Sequence, residues 1–307
     1  MKILITGSGG MVGQNLAHHG GLKSHDLLTP KRGELDLKIY DNVVHYLKTH
    51  QPEMIIHTAG RVGGIQANVA HPVDFLIENI DINRNVILAA QKSNVKKMIN
   101  LGSSCMYPRN AQNPLTEDLI LKGELEPTNE GYALAKIFSQ RLCQYIQKEH
   151  PEFKYKTLVP CNLYGEFDKF SPEHSHLIPA VIRKLHLAKE NSTSEVDIWG
   201  DGTARREFMY VGDLADCIWQ AVNKFDSMPD LMNVGLGFDY SVNEYYEAAS
   251  KVIGYQGKFV HDLTKPVGMK QKLVCTSRAS EWGWKASHTL QQGLEKTYKH
   301  FLTLTNK

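Results

Sequence analysis

Short apolar runs alternate with longer amphipathic segments through the first half of the chain. A short apolar run bounded by turn residues is typical of a buried strand, and apolar positions three and four apart are typical of a helix. The pattern predicts strands at residues 2–5, 26–28, 54–58, 97–101 and 155–158. It predicts helices at residues 11–19, 41–49, 73–93 and 131–150. Because the two kinds of element alternate, the segment is expected to form parallel βαβ units.

The regular alternation ends after residue 164. The polar stretches at 166–175 and 191–195 and the lysine-rich stretch at 264–272 are predicted to be loops. Further helices are predicted at 214–223, 242–252 and 290–304, and one more strand at 231–234. We therefore predict an α/β fold, a doubly wound parallel sheet of the Rossmann type with a smaller C-terminal substrate-binding domain. The dinucleotide-binding domain would comprise residues 1–163 and 212–237, and the substrate-binding domain residues 164–211 and 238–307.

The composition is that of an ordinary folded protein. Of the 307 residues, 42% are hydrophobic and 22% are charged, which excludes a disordered, collagen-like or coiled-coil chain. The net charge is +2 and no block of like charges occurs, so binding to nucleic acid or to a membrane surface is not indicated. No apolar run approaches the roughly 18 residues of a membrane span.

The five cysteines are scattered and show no CxxC spacing. Neither a disulfide framework nor a metal site is therefore expected. The apolar run at the N-terminus ends at glycines too early for a signal peptide. Together these features predict a cytoplasmic protein.

Three glycines, Gly7, Gly10 and Gly13, follow the first predicted strand and open the first predicted helix. A pyrophosphate needs a tight turn, close approach of the backbone and the free N–H groups of a helix N-terminus. The strand–turn–helix context therefore predicts a dinucleotide-binding loop, with Met11 and Val12 in the first helical turn. A glycine-rich turn with a purely structural role is the alternative.

The residues after the second strand indicate which dinucleotide binds. A carboxylate at this position bonds the ribose 2′-hydroxyl of NAD, whereas an arginine accommodates the 2′-phosphate of NADP. Here the chain has Lys31 and Arg32, and no acid occurs before Glu34. The pattern favours NADPH/NADP+, the alternative being a solvated basic loop.

Tyr132 and Lys136 are four residues apart on a predicted helix and so lie on one face of it. An ammonium group beside a phenol favours the phenolate, so we expect Lys136 to lower the pKa of Tyr132. Such a phenol can exchange a proton with a carbonyl oxygen during hydride transfer. Ser103 and Ser104 follow the preceding strand, where a hydroxyl could bond the same oxygen. These residues predict a ketoreductase site.

The glycine loop, the serine at the strand end and the Tyr132/Lys136 pair resemble the extended short-chain dehydrogenase/reductases. Within that family the chain resembles the subfamily that contains the GDP-L-fucose synthases, through AGRVGGIQAN (59–68), LGSSCMYP (101–108), EPTNEGYALAK (126–136), NLYGEFDKF (162–170), HSHLIPAVIRK (174–184), REFMYVGDLA (206–215) and DLTKPVGMKQK (262–272). The resemblance implies a GDP-sugar substrate, NADPH, and a homodimer packed through the helix that carries Tyr132.

The resemblance also implies roles for individual residues. Ser103 would complete a catalytic triad with Tyr132 and Lys136, and Cys105 and His176 would be the acid/base pair of a C3/C5 epimerisation. Lys136 would touch the cofactor ribose as well, and Asn162 would lie near the nicotinamide and the sugar. Substrate contacts would come from Lys184 and Arg206 near the diphosphate and from Trp199, for which a buried core indole is equally compatible.

The resemblance points to NADPH-dependent reduction of the C4 ketone of a GDP-4-keto sugar, with epimerisation in the same site. A C4 reductase without epimerase activity, acting on another GDP-4-keto sugar such as a GDP-4-keto-heptose for surface polysaccharide synthesis, fits the same motifs. A 4,6-dehydratase is disfavoured because Ser104-Cys105 supplies no carboxylic acid/base pair. A non-catalytic NADP-binding sensor is the alternative from another functional class.

Overall fold

The computed structural model describes residues 1–171, 175–265 and 269–305. The strands are β1 Lys2–Thr6, β2 Asp26–Leu28, β3 Met54–His57, β4 Lys97–Leu101, β5 Lys154–Pro160, β6 Asn162–Tyr164, β7 Glu195–Trp199, β8 Arg205–Arg206, β9 Phe208–Tyr210, β10 Leu231–Val234, β11 Tyr240–Ser241, β12 Lys258–Asp262 and β13 Gln271–Lys272. The helices are α1 Met11–His18, α2 Tyr40–His50, α3 Ile65–Ala70, α4 Pro72–Lys92, α5 Glu130–Glu149, α6 Leu177–Glu190, α7 Val211–Asn223, α8 Val242–Ile253, α9 Ser277–Glu281 and α10 Leu290–Thr305. Residues 172–174 and 266–268, which belong to two of the predicted loops, lie outside the described residues.

A six-stranded sheet forms the centre of the molecule, in the order β10-β5-β4-β3-β1-β2. All of its pairs are parallel. Alternate residues of one strand enter different cores: Ile3 and Ile5 pack on the side of α7, whereas Leu4 packs on the side of α2 and α4. The predicted doubly wound sheet is confirmed. Because the strand order reverses at β1 and β3, a crevice for a ligand is expected where these two strands end.

Three small sheets lie in the C-terminal half: β11-β8-β13, β12-β7 and β6-β9. Helices α6, α8 and α10 pack together beside them and share a separate core that includes Leu185, Tyr245 and Phe301. The seven strands of these small sheets, and the helices α3, α6 and α9, are absent from the sequence-based prediction. Five of these strands have only two or three residues, which is too few for an alternating pattern to show.

The segment after β6 joins the large sheet to the C-terminal half. Asn15 of α1 donates to the carbonyl of Glu166 at 3.0 Å, and the hydroxyl of Tyr210 donates to the Glu166 carboxylate at 2.7 Å. Phe167, at φ 66°, stacks on His18 with ring centroids 5.4 Å apart. These contacts fix the two halves relative to each other at the crevice. Across the described ranges, no helix is long and apolar enough to cross a membrane.

Candidate active site

Two glycines of the loop, Gly7 and Gly13, are packed too tightly to accept a side chain. A Cβ at Gly7, which has φ +70°, would lie 2.7 Å from the Cα of Ala59, and a Cβ at Gly13 would lie 2.3 Å from the carbonyl oxygen of Gly7. Helix α1 begins at Met11, directly beside this turn, and Val12 packs against both the sheet core and the C-terminal core. The result is a backbone cradle at a helix N-terminus, which fits a pyrophosphate.

The loop after β2 lies beside this cradle, because the hydroxyl of Ser8 donates to the carbonyl of Pro30 at 3.0 Å. Lys31 and Arg32 follow and are exposed. The carboxylate of Glu34 accepts the backbone N–H of Lys31 at 2.6 Å. The carboxylate of Glu34 is therefore engaged by the backbone of Lys31. The side chains of Lys31 and Arg32 remain at the edge of the cradle. This arrangement fits a 2′-phosphate, and the role of Arg32 stays a prediction.

The structure brings Ser103, Tyr132 and Lys136 together. Ser103 follows β4, and its hydroxyl is hydrogen-bonded to the phenol of Tyr132 in the first turn of α5. The ammonium of Lys136 donates to the carbonyl of Leu101 at 2.8 Å and lies 5.9 Å from the centroid of the Tyr132 ring. A short serine turn and one helical turn thus converge at the end of β4.

The expected lowering of the Tyr132 pKa by Lys136 is wrong. Burial raises the pKa of Tyr132, the negative charge of a Cys105 thiolate raises it further, and the hydrogen bond to Ser103 lowers it. Burial also lowers the pKa of Lys136 to about 8, against the opposing effect of Cys105. The physical reason is that the Lys136 ammonium points at a carbonyl and not at the phenol oxygen. Tyr132 is therefore a neutral acid, the form that can donate a proton.

Cys105 lies in the same cluster, in the short helical turn Ser104–Met106. Its backbone N–H donates to the hydroxyl of Ser103 at 3.3 Å, and its half-buried sulfur accepts a hydrogen bond from the side-chain amide of Asn129 at 3.4 Å. A negative charge on its sulfur would raise the pKa of both Tyr132 and Lys136. The sulfur therefore faces the space in which the phenol lies.

His176 lies at the start of α6, on another wall of the crevice. The loop 60–64 connects the two places: a Cβ at Gly60 would lie 3.9 Å from the Lys136 ammonium, and a Cβ at Gly64 would lie 3.4 Å from the carbonyl of Ser175. Burial lowers the pKa of His176, and Lys169 lowers it further. A neutral imidazole can accept a proton, and the role of His176 stays a prediction.

A series of buried polar side chains, linked by hydrogen bonds, connects the central sheet to helix α5. The Nε2 of His57 bonds the amide oxygen of Asn83 at 2.9 Å, and the Asn83 amide donates to the carbonyl of Ala135 at 3.2 Å. The other ring nitrogen, Nδ1, bonds the hydroxyl of Thr6 at 2.8 Å. Burial lowers the pKa of His57 to about 3. A neutral histidine at the end of β3 thus holds the backbone next to Lys136.

Two cationic side chains, those of Arg206 and Lys272, lie next to each other on neighbouring strands of the β11-β8-β13 sheet. Together with Tyr240 they form a row across the sheet that we call the cation rung. Arg206 is paired with Tyr240 on one side and with Lys272 on the other, so these three side chains share a face. Burial lowers the pKa of Arg206, an effect that Glu126 opposes, and Lys272 is nearly buried. Sequence reasoning missed Lys272, and its only signal was its place in the 262–272 motif.

The other predicted ligand residues are placed less directly. Asn162 donates to the carbonyl of Glu207 at 3.0 Å, and Lys184 is paired with Asp197 at 2.7 Å. Trp199 is 47% exposed, with the Lys265 ammonium 5.6 Å from its ring centroid, so the alternative of a buried core indole is wrong. Their contacts with substrate or cofactor stay predictions. The described residues contain no group of three or more acidic, histidine or cysteine side chains able to hold a metal ion.

Known proteins resemble this chain along its whole length. The profile of the NAD dependent epimerase/dehydratase family matches residues 3–235. The chain is 54% identical to a GDP-L-colitose synthase of Yersinia pseudotuberculosis, with 100% of this chain and 99% of that protein covered. It is 46% identical to a GDP-L-fucose synthase of Azorhizobium caulinodans, with 98% and 96% covered. A solved structure of a GDP-mannoheptose C4 reductase from Campylobacter jejuni with NADP bound has a TM-score of 0.88 and 32% identity, with 98% of both chains covered.

Proposed function

Because the chain belongs to the NAD dependent epimerase/dehydratase family, we propose that it reduces the C4 ketone of a GDP-4-keto sugar with NADPH and epimerises C3 and C5 in the same site. The observation that carries the proposal is the cluster of Ser103, Tyr132, Lys136 and Cys105 at the end of β4. Such a cluster places a proton donor and a thiol in one space, as the combined reaction requires.

NADPH would lie on the glycine cradle. Gly7, Gly10, Met11, Val12 and Gly13 would hold its pyrophosphate. Arg32 would hold the 2′-phosphate, and Lys136 and Asn162 would contact the end that carries the nicotinamide. When bound, NADPH supplies the hydride for C4.

The reduction step uses the neutral phenol of Tyr132. Its proton passes to the C4 oxygen as hydride reaches the carbon, which leaves an alcohol and a phenolate. Ser103, already hydrogen-bonded to the phenol, would hold the same oxygen. The phenolate then regains a proton from solvent.

Epimerisation precedes reduction, because the C4 ketone makes the protons on C3 and C5 acidic. A neutral His176 or a Cys105 thiolate removes the proton and leaves an enolate, and the other group in its protonated form returns a proton on the opposite face. Each centre is inverted without any change in oxidation state.

The GDP-sugar would extend from this cluster to the cation rung. Arg206 and Lys272 would bind the diphosphate, since two cations side by side, one half-buried and one nearly buried, favour an anion. Lys184 would also lie near the diphosphate, and Trp199 would line the pocket. Under this proposal residues 1–163 and 212–237 bind the dinucleotide, and residues 164–211 and 238–307 bind the GDP-sugar.

A reductase without epimerase activity is the second candidate. Its support is the likeness to the GDP-mannoheptose C4 reductase, which extends over 98% of both chains. The two candidates share every step at C4. They differ only in whether Cys105 and His176 exchange protons with the sugar.

We also propose a homodimer in the cytoplasm. Helices α4 and α5 pack along each other, and their outer faces expose Val73, Ile77, Leu134 and Tyr145. An apolar surface of this kind favours association, and in a second copy the same helices would cover it. All five cysteines are free thiols, as is usual in a reducing compartment.

The test is a set of GDP-4-keto-hexoses and GDP-4-keto-heptoses, including the precursors of GDP-L-fucose and GDP-L-colitose, incubated with NADPH in deuterated water. NADPH oxidation with deuterium at C3 or C5 supports the combined activity. NADPH oxidation without deuterium leaves the reductase alone. NADPH binding with no oxidation on any substrate returns the non-catalytic sensor.

A further inference from the structure

Asn129 occupies the N-cap of α5 but does not cap it. Asparagine is favoured at this position because its side-chain oxygen usually accepts a backbone N–H of the first turn. Here the side chain makes no capping hydrogen bond. The residue thus gives α5 little of the stability that an asparagine cap usually provides.

The two polar atoms of the Asn129 side chain have different surroundings. The nitrogen donates to the sulfur of Cys105 at 3.4 Å. The oxygen is buried and has no hydrogen-bond partner among the described residues. A buried acceptor without a partner is unfavourable, and such an atom is a candidate position for a ligand group.

The position of the turn indicates which ligand group the oxygen meets. Residues 126–129 form one short segment: Glu126 is close enough to Arg206 to shift its pKa, and Asn129 touches the Cys105 sulfur. A GDP-sugar with its diphosphate at Arg206 and its reacting carbons at Cys105 must pass along this segment. The sugar hydroxyls are the donors that it would present there.

We propose that Asn129 is a positioning residue with two functions: its amide N–H groups favour the thiolate of Cys105, and its oxygen accepts a hydroxyl of the sugar ring. The proposal rests on the proposed function for its second part only, because the bond to sulfur is present in the protein alone. Through the first contact Asn129 acts on the base, and through the second it orients the carbon that the base deprotonates.

The thiolate function is tested by alkylation, without substrate or cofactor. In a Cys275→Ser background, which removes the other half-buried cysteine, the rate of Cys105 alkylation by iodoacetamide at pH 7 is expected to fall about tenfold in Asn129→Ala. It should fall at least as far in Asn129→Asp, whose carboxylate repels the thiolate. At pH 10 the rate in Asn129→Ala should approach the parental rate, since Tyr132 and Lys136, the titratable groups facing the sulfur, are the same in both proteins.

Thr128→Ala is the matched control, because Thr128 lies in the same turn and bonds only Glu126 in the described structure. Its alkylation rate should equal that of the parent. Unchanged NADPH affinity in the Asn129 variants shows that they fold. If both Asn129 variants react at the parental rate at pH 7, the thiolate function is refuted.

The hydroxyl function is tested by comparing the same two variants with a GDP-4-keto sugar. Asn129→Ala loses the acceptor, and its KM should rise about fivefold, whereas Asn129→Asp keeps an acceptor and should show a smaller rise. Solvent deuterium incorporation should fall in both, because the loss of thiolate that slows alkylation also slows removal of the proton from the sugar. An unchanged KM in Asn129→Ala refutes this function. If the parent itself incorporates no deuterium, the epimerase proposal fails, while alkylation and KM still decide the two functions of Asn129.

Discussion

The proposed cofactor site and the proposed substrate site are built in different ways. The glycine cradle and the cluster at the end of β4 each use residues from one or two short segments, such as Gly7 to Gly13 and Tyr132 to Lys136. The cation rung takes Arg206, Tyr240 and Lys272 from three strands far apart in the chain. In the local segments, the spacing along the chain determines which side chains lie together. In the cation rung, the register of the strands determines this. The first kind is visible in a sequence pattern and the second is not.

The largest effect is expected in the locally encoded site. Tyr132→Phe removes the proton donor and keeps the ring, so reduction should fall by roughly 10²–10⁴-fold while NADPH still binds. Tyr46→Phe, on α2, is the control for loss of a phenol hydroxyl elsewhere. The measurement is NADPH oxidation at saturating substrate, together with the dissociation constant of NADPH. Full turnover in Tyr132→Phe would show that Tyr132 is not the proton donor. Local spacing would then have failed to identify the catalytic acid.

Spacing gave the positions of this cluster but not its electrostatics. Four-residue spacing correctly placed Tyr132 and Lys136 on one helical face. The pKa of Tyr132 moved opposite to expectation, because the direction of a pKa shift depends on burial and on where the ammonium points. Both depend on contacts with β4, which the helix sequence does not contain. Local patterns therefore identify a site more reliably than they set its protonation states.

The buried polar side chains that connect the central sheet to α5 should make stability depend on pH. The folded protein holds His57 at a pKa of about 3 against an ordinary 6.5. Below pH 6.5 the unfolded chain binds a proton that the folded chain does not, so stability is lost as pH falls from 6.5 towards 3. From pH 6.5 to 5 the loss from this residue should be about 2 kcal/mol.

The free energy of unfolding, measured by urea titration at several pH values, checks this. His57→Gln should be less stable at pH 7, but its free energy of unfolding should fall less steeply below pH 6.5. The difference in slope should correspond to the uptake of about one proton fewer on unfolding. His45→Gln, on the exposed face of α2, is the matched control. If the free energy of unfolding depends on pH equally steeply in His57→Gln and in the parent, the buried neutral form of His57 does not contribute the predicted stability.

The nonlocal site gives a smaller and more selective effect. Lys272→Met removes one of the two cations on the rung, so the KM for a GDP-sugar should rise about tenfold while NADPH affinity is unchanged. Lys270→Met is the control, because Lys270 is exposed just before β13. Steady-state kinetics with varied GDP-sugar measure the change. A KM equal to the parent's would mean that Lys272 does not bind the diphosphate. The contrast between the two sites would then lose its nonlocal example.

The rung also shows where prediction from sequence stops. The large sheet follows from periodic apolar runs, and its six strands agree with the predicted ones to within a few residues. Strands β8, β11 and β13 have two residues each, so no periodicity can reveal them. Lys272 became a candidate only when the parallel register set it opposite Arg206. Helix α6 was likewise missed, although its motif includes His176 and Lys184.

The smallest effect is expected at the edge of the proposed cofactor site, where the local pattern is weakest. Arg32 is exposed beside the cradle, and an exposed cation contributes less than a buried one, so Arg32→Ala should weaken NADPH binding only about fivefold. NADH binding should stay nearly unchanged, because NADH lacks the 2′-phosphate. Lys38→Ala, an exposed cation further along the chain, should change neither affinity. Titration of both cofactors by fluorescence decides: equal weakening of NADPH and NADH in Arg32→Ala would assign the residue to loop structure, and the 2′-phosphate contact would then pass to Lys31.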